Sequence, residues 1–179
     1  MISSRRDADA LERARRAGVA TSVLADPADP DELLRALAGA ELVVLAGYLQ
    51  RVPPAVVARF RLRMINIHPA LLPAFGGSGM YGRRVHEEVL ASGATLSGAS
   101  VHYVDEEYDH GPIIAQWPVP VRPDDAPETL AARVLEVEHR LLPLVVTELA
   151  RLGVPREPVR LVARGSTFGV GDELEIEFE

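Results

Sequence analysis

A short, nearly unbroken apolar run limits the fold of this chain more than any other feature. ELVVLAGYL occupies residues 41–49 and is rich in Val and Leu. Such a run is typical of a strand that is buried on both of its faces, as in a parallel sheet. We therefore predict that residues 41–49 form the central strand of a sheet.

The segments that follow this run predict a helix and a second strand. PAVVARFRL at residues 54–62 has Pro in its first turn, which favours a helix, and MINIH at residues 64–68 is typical of a short strand. A strand, a helix and a strand joined by short links indicate a crossover unit of a doubly wound sheet. The predicted fold class is therefore α/β with a mostly parallel sheet.

The remaining periodic segments extend this pattern along the chain. Predicted helices lie at residues 7–18, 31–40, 83–91 and 127–152, and predicted strands lie at residues 19–24 and 95–104. PIIAQ and PVPV are predicted to form a pair of strands, with PVPV at a sheet edge because of its prolines. The alternation of apolar and charged residues over 158–179 predicts a C-terminal hairpin.

Composition excludes several classes of protein. The 179 residues suffice for one domain with a core, and the net charge of −7 disfavours a partner held by nucleic-acid phosphates. The chain has no Cys, which excludes disulfides and thiolate metal sites. No apolar run approaches the roughly 20 residues that a membrane span needs, and the first residues do not form a secretory signal. We expect a cytoplasmic protein that binds neither nucleic acid nor membrane.

Three residue types that suit acyl transfer lie at predicted strand ends. Asn66 and His68 are two positions apart on one strand and share a face, while Asp109 lies in the loop after another strand. Open α/β sheets bind ligands at the C-terminal ends of their strands. An amide, an imidazole and a carboxylate can together polarise a carbonyl, stabilise an oxyanion and move a proton.

Two other interpretations of these residues stay open from the residues alone. A single His near a strand end is more often structural than catalytic. A metal site is the second alternative, but its candidate ligands lack the short paired spacing of a typical zinc site, so no metal is predicted. Those candidate ligands are His68, His102, Asp109 and His110.

Three motifs in order resemble one enzyme family. They are VVLAGYLQRVPPAVVARFRLRMINIHPALLPAFGGSGMYGRRVHEEVL, GASVHYVDEEYDHGPIIAQ and ARVLEVEHRLLP. Together they resemble the phosphoribosylglycinamide formyltransferase family of purine biosynthesis, from about residue 2 to about residue 153. IHPALLP and HYVDEEYDHGPII are similar to folate-dependent formyltransferases in general, whereas GSGMYGRRVHE and VEHRLLP are similar to the glycinamide ribonucleotide branch.

The resemblance implies a formyltransferase fold, a site and a reaction. It implies that 10-formyltetrahydrofolate is the co-substrate, that no metal takes part, and that the partners are small molecules; a homodimer stays open. It also implies that the Leu72–Pro73 peptide is cis. The implied catalytic residues are Asn66, His68 and Asp109. The implied cofactor-binding residues are Tyr48, Leu49, Gln50, Val52, Val104, Asp105 and Glu106, and the implied substrate-binding residues are Gly47, Pro69 and Glu138.

The implied mechanism is attack of the ribonucleotide amine on the formyl carbon. Asn66 and a protonated His68 would donate to the oxyanion, and Asp109 would raise the pKa of the imidazole and relay protons through a water.

Glu138 is ambiguous from its position alone. It lies close to the predicted buried stripe of residues 127–152, where a carboxylate either pairs with an arginine or faces a ligand. The resemblance favours the ligand.

The chain departs from the family at two places. The family opens with a strand and a glycine-rich turn that holds phosphate, and the alignment instead places Ile2–Ser4 on the second strand. We expect an N-terminally shortened fold with an open edge at residues 41–49 and weak ribonucleotide binding. A strand supplied by another chain, or a rearranged fold, would also account for the missing first strand. Gln50 and Arg51 stand where many relatives place a basic and then an aliphatic residue.

The predicted organisation is a single formyltransferase domain over residues 1–179. It comprises a truncated nucleotide-binding half at 1–63, a catalytic and folate half at 64–153 and the hairpin at 154–179. The alternatives to glycinamide ribonucleotide formyl transfer are formyltetrahydrofolate hydrolysis and a catalytically impaired folate-binding relative.

Overall fold

Helices and strands alternate over most of the chain, as the apolar periodicity predicts. The computed structural model describes residues 1–153 and 155–162. Its elements are β1 (Ile2–Ser3), α1 (Asp9–Arg16), β2 (Ser22–Val23), α2 (Pro30–Ala36), β3 (Val43–Leu45), α3 (Pro54–Arg59), β4 (Met64–His68), α4 (Arg83–Ala91), β5 (Leu96–Tyr103), β6 (Ile113–Pro120) and α5 (Pro127–Leu152).

The strands form two sheets. β1 and β2 pair in parallel, and β3, β4, β5 and β6 form a second sheet in that order. In the second sheet β3 and β4 are parallel, while β4, β5 and β6 pair antiparallel. Helix α3 connects the parallel strands β3 and β4, so the predicted crossover unit and the α/β class are confirmed.

The prediction that residues 41–49 form a central strand buried on both faces is wrong. β3 covers only Val43–Leu45 and lies at the edge of its sheet, and Val44 is 38% exposed. An apolar run indicates that a strand can be buried. Its position within the sheet depends on which distant strands pair with it. Within residues 1–153 and 155–162, β4 is the one strand that pairs with β3, which agrees with the expected open edge.

The C-terminal strands also differ from the prediction. PIIAQ and PVPV belong to one continuous strand, β6, instead of two paired strands. β5 is eight residues long and pairs with β6 along its length. PIIAQ and PVPV therefore share one partner strand and continue into each other without a turn. Among the described strands β6 is last in the order, and the Leu161 N–H donates to its Ile114 carbonyl at 2.7 Å. Pro118 and Pro120 lie further along this edge strand, a position where proline is tolerated. The predicted hairpin of residues 158–179 falls mostly outside the described residues; residues 158–162 carry no strand.

Apolar side chains form clusters on both sides of the four-stranded sheet. Helix α5 buries the stripe Leu141, Val145 and Leu149 against Ile65 and Val101 of the sheet. On the other side of the sheet, α2 and α3 pack against β3 and β4 through a second apolar cluster. None of the described helices has the length and apolarity that crossing a membrane requires.

Candidate active site

The C-terminal end of β4 presents two polar side chains on one face. Ile65 is fully buried in the α5 cluster, and the alternation of the strand turns Asn66 and His68 to the opposite face. His68 is buried at 3% exposure, while Asn66 is half-buried. The strand therefore delivers an amide and an imidazole to the same place.

Asp109 reaches these residues from the loop between β5 and β6. Its φ of 55° lies in the left-handed region, which Asp tolerates better than most residues. Asp109 Oδ2 lies 3.4 Å from His68 Nδ1 and accepts a hydrogen bond of 3.0 Å from the Gly77 N–H. The structure thus brings together the three residues that the sequence proposed as catalytic.

Both nitrogens of His68 face oxygen acceptors. Nε2 is 2.8 Å from the Phe75 carbonyl oxygen, so Nε2–H donates there, and Nδ1 faces Asp109. Burial lowers the pKa of His68 and outweighs the negative charge of Asp109 and the Phe75 carbonyl, which both raise it. The upward effect of Asp109 on this pKa was expected; the larger opposing effect of burial was not.

The carboxylate of Asp109 is stabilised in its ionised form. Burial opposes ionisation, but the rings of His102 and His68 in their protonated forms and the Gly77 N–H outweigh it and lower the pKa of Asp109. Asp109 is therefore a carboxylate at neutral pH that stands beside an imidazole.

His102 also belongs to this cluster, although its position in the sequence indicated at most a metal ligand. Its Nε2 lies 3.1 Å from Asn66 Nδ2 and 3.6 Å from Asp109 Oδ1. Asn66 and His102 are directly opposite each other in the β4–β5 ladder, so their side chains share a face. That pairing register is the information that would have identified His102.

The loop after His68 is held by a buried hydroxyl. Ser100 Oγ donates to the Ala70 carbonyl at 2.7 Å and accepts from the Leu72 N–H at 3.0 Å. Gln116 Nε2 donates to Ser100 Oγ at 2.8 Å and to the Leu72 carbonyl at 2.9 Å. The Leu72–Pro73 peptide is cis, as the resemblance implies.

One cavity of about 730 Å³ adjoins the cluster. Every residue that the resemblance assigned to the site lines it, and so does His102, whereas His110 does not. His110 instead forms an exposed pair with Asp105, at 2.8 Å between Nδ1 and Oδ2. Among the residues that the structure describes, no group of three or more His, Cys, Asp or Glu is arranged to hold a metal ion.

The predicted cofactor-binding residues form a wall of two segments. Arg51 Nη2 donates to the Glu106 carbonyl at 2.8 Å and so joins residues 47–52 to residues 104–108. Within this wall Val52 is buried in the α3 cluster, while Leu49 is 58% exposed along the cavity. Leu49 therefore offers apolar surface to a ligand and Val52 mainly supports the wall.

Glu138 faces the cavity from helix α5, next to Leu135 and Leu142. It forms no ion pair with any arginine of the described part of the chain, so the alternative of a structural pair is not supported. Burial raises the pKa of Glu138 to about 7. A carboxyl group in this state can bind a polar ligand group, and its charge changes near neutral pH.

Comparison with known proteins identifies similar chains. The formyl transferase family model matches residues 1–146. A chloroplastic phosphoribosylglycinamide formyltransferase of Arabidopsis thaliana is 46% identical over 155 residues, which cover 82% of this chain and 53% of that relative. The phosphoribosylglycinamide formyltransferase of Escherichia coli K12 is 38% identical over 158 residues, which cover 84% of this chain and 72% of that relative. The chain thus spans about half the length of the plant relative.

Solved structures show the same similarity in three dimensions. The crystal structure of glycinamide ribonucleotide transformylase 1 from Symbiobacterium toebii has a TM-score of 0.78 and 39% identity, and the match covers 92% of this chain and 76% of that one. The crystal structure of phosphoribosylglycinamide formyltransferase from Anaplasma phagocytophilum has a TM-score of 0.78 and 36% identity, with coverage of 84% and 72%.

Proposed function

Because its residues 1–146 match the family model, this chain belongs to the formyl transferase family, and we propose that it transfers the formyl group of 10-formyltetrahydrofolate to the amine of glycinamide ribonucleotide. The observation that carries the proposal is the convergence of Asn66, His68 and Asp109 on one cavity. The names of the relatives support this substrate over water, and therefore formyl transfer over formyltetrahydrofolate hydrolysis.

The cavity suits a folate. Its volume of about 730 Å³ lies within the range of small-molecule sites, and Tyr48, Leu49 and Val104 supply apolar surface beside polar backbone. When bound, the folate supplies the formyl carbon that is transferred. The remaining steps depend on the side chains around it.

Asn66 stabilises the charge that develops on the formyl oxygen. One N–H of its amide faces His102, and the second is available to the cavity that Asn66 lines. A donor that is already oriented toward the developing charge needs no reorganisation during the reaction. We therefore assign the direct hydrogen bond to Asn66.

His68 contributes charge in its protonated form, which the lowered pKa makes the minor form at neutral pH, in place of a direct hydrogen bond. With both ring nitrogens protonated, Nε2–H donates to the Phe75 carbonyl and Nδ1–H faces Asp109. The imidazolium then places a positive charge at the cavity wall beside the formyl oxygen. This assignment differs from the donor role that the resemblance implied, because the Phe75 carbonyl already binds Nε2–H.

Asp109 moves the proton. A C–N bond forms between the amine and the formyl carbon while the bond from that carbon to the folate nitrogen breaks, so one proton must pass from the amine to the folate nitrogen. Asp109 is ionised at neutral pH, accepts this proton and returns it through a water. Glu138 faces the same cavity and binds the polar groups of the ribonucleotide, and Gly47 and Pro69 form the adjoining wall.

A direct assay tests this function. The full chain is incubated with 10-formyltetrahydrofolate, with and without glycinamide ribonucleotide, and the release of tetrahydrofolate is followed by absorbance. We expect turnover that requires the ribonucleotide. Turnover without it would establish hydrolysis, and binding of folate without any turnover would establish an impaired relative.

A further inference from the structure

His102 is the one buried imidazole of the cluster that touches Asn66. It is 2% exposed, its side chain comes from the long central strand β5, and the β4–β5 ladder places it opposite Asn66. We propose that His102 is a positioning residue, which holds the amide of Asn66 in the one orientation that presents an N–H to the cavity. This inference rests on the proposed function.

The surroundings of the His102 ring determine which of its nitrogens carries the proton. Nδ1 lies 2.8 Å from the carbonyl oxygen of Tyr103, and a carbonyl oxygen can only accept a hydrogen bond. Nδ1 therefore carries the proton. In the neutral ring, Nε2 is then a lone-pair acceptor.

The His102 tautomer in turn orients the amide of Asn66. Its Nδ2 lies 3.1 Å from His102 Nε2, so Nδ2–H donates to the ring nitrogen. Asp109 Oδ1 is 3.6 Å from the same nitrogen, which exceeds hydrogen-bond distance, so the contact with Asn66 is the stronger of the two. The Tyr103 carbonyl thus determines the His102 tautomer, and the tautomer determines which end of the amide faces it.

The orientation of the Asn66 amide decides which of its atoms faces the cavity. Without an acceptor at the position of Nε2, the amide of Asn66 can rotate by half a turn and exchange its NH₂ group for its carbonyl oxygen. An oxygen in that place would oppose the negative charge that forms during transfer, whereas the N–H stabilises it. His102 therefore acts through Asn66 without touching the substrate.

Three variants of the full chain test the proposal. His102→Leu removes the acceptor, and His102→Gln restores an oxygen acceptor on a side chain of similar reach. Ser97→Ala is the matched control, because it removes another buried polar group from β5 that does not contact Asn66. Thermal unfolding establishes that each variant folds.

Steady-state kinetics give the first result. We expect His102→Leu to lower kcat by about 10²-fold with little change in KM for either substrate, as misplacement of a catalytic group does. We expect His102→Gln to recover most of this loss and Ser97→Ala to retain wild-type kcat. An unchanged kcat in His102→Leu, or an equal loss in Ser97→Ala, would overturn the positioning role.

An NMR experiment gives a result that does not depend on turnover. The side-chain amide signal of Asn66 is identified by its loss in Asn66→Asp, and its two proton shifts are compared among the variants in ¹⁵N-labelled protein. We expect His102→Leu to move the hydrogen-bonded proton upfield and His102→Gln to restore it. Inactive wild-type protein would refute the proposed function alone, whereas an unmoved Asn66 signal in His102→Leu would refute the role of His102.

Discussion

Two carboxylates with largely covered side chains, Asp109 at the cavity and Asp125 at the start of α5, show how the fold separates chemistry from stability. Asp125 precedes α5, and its side chain is 3% exposed. Both of its oxygens bind Arg133, at 2.7 Å for the pair Nη1 and Oδ1, and it also accepts from the Arg122 N–H and the Thr129 hydroxyl. Asp125 is saturated with donors, chiefly the guanidinium, which holds its pKa well below the usual range.

Asp109 has fewer partners. Oδ2 accepts from the Gly77 N–H, whereas the contact recorded for Oδ1 within residues 1–153 and 155–162 is the imidazole of His102, at 3.6 Å. A carboxylate with an uncommitted oxygen can exchange a proton with a ligand, whereas one that is bound at every lone pair cannot. Burial therefore does not identify a functional carboxylate in this chain, whereas incomplete hydrogen bonding beside a cavity does.

The largest effect is expected for Asp109→Asn. The variant removes the proton acceptor and should lower kcat by about 10³-fold, while the midpoint of urea unfolding changes little. Formyl transfer and unfolding are measured on the same preparation. The exposed Asp124→Asn is the control for charge, and near-wild-type turnover of Asp109→Asn would contradict its role.

Asp125→Asn should show the reverse pattern. Loss of the carboxylate leaves Arg133 with an incomplete partner, and we expect the free energy of unfolding to fall by about 2 kcal/mol with kcat unchanged. This figure is below that for a fully buried pair, because Arg133 is 21% exposed. The same change in kcat as in Asp109→Asn would show that the two carboxylates are not functionally distinct.

Acid unfolding measures the contribution of the Asp125 carboxylate directly. Because the folded pKa of Asp125 is lowered, its contribution to stability is present above the unfolded pKa of about 4 and is lost as the pH falls below that value. The stability difference between wild type and Asp125→Asn should therefore shrink between about pH 4 and the folded pKa. A difference that stays constant from pH 6 into this acid range would contradict the linkage.

Glu138 provides a third carboxyl group, with the opposite shift. Its pKa of about 7 means that it gains charge as the pH rises through neutrality. We expect KM for the ribonucleotide to rise several-fold as the pH falls from about 8 to about 6, and KM of Glu138→Gln to be independent of pH over this range. Identical pH profiles of the two proteins would exclude Glu138 from ribonucleotide binding.

The raised pKa of Glu138 also predicts how Glu138→Gln changes stability. A raised folded pKa means that ionisation costs the folded state energy, so stability falls as the pH rises from the unfolded pKa of about 4 to about 7. Glu138→Gln removes this cost, and we expect its Tm to exceed that of wild type at pH 8 but not at pH 4. Equal values at pH 8 would show that the buried charge costs the folded state little.

Part of this arrangement could be predicted from the sequence. β4, α4 and α5 have the bounds or nearly the bounds that periodicity predicts, and the two-residue spacing placed Asn66 and His68 on one face. These features depend on residues that are close together in the chain. That Asp109 lies beside Asn66 and His68 could be expected only from the general rule that ligands bind at strand ends. The catalytic role of Asp109 came from the motif resemblance.

The errors involve pairing between distant segments. β3 was predicted at the centre and lies at an edge, and β6 was predicted as two strands. The role of His102 could not be predicted, because it depends on the strand register that places His102 opposite Asn66. The partner of Asp125, eight residues further along at Arg133, was also not recognised.

By itself, the sequence determined the helices, the strand that carries Asn66 and His68, and the family motifs, since these depend on local periodicity and residue identity. Tertiary structure alone decided which strand lies at the edge, the contact between His102 and Asn66, and the opposite pKa shifts of Asp109 and Glu138. The physical reason is that a side chain's hydrogen-bond partners and its access to water are set by segments far away in the chain.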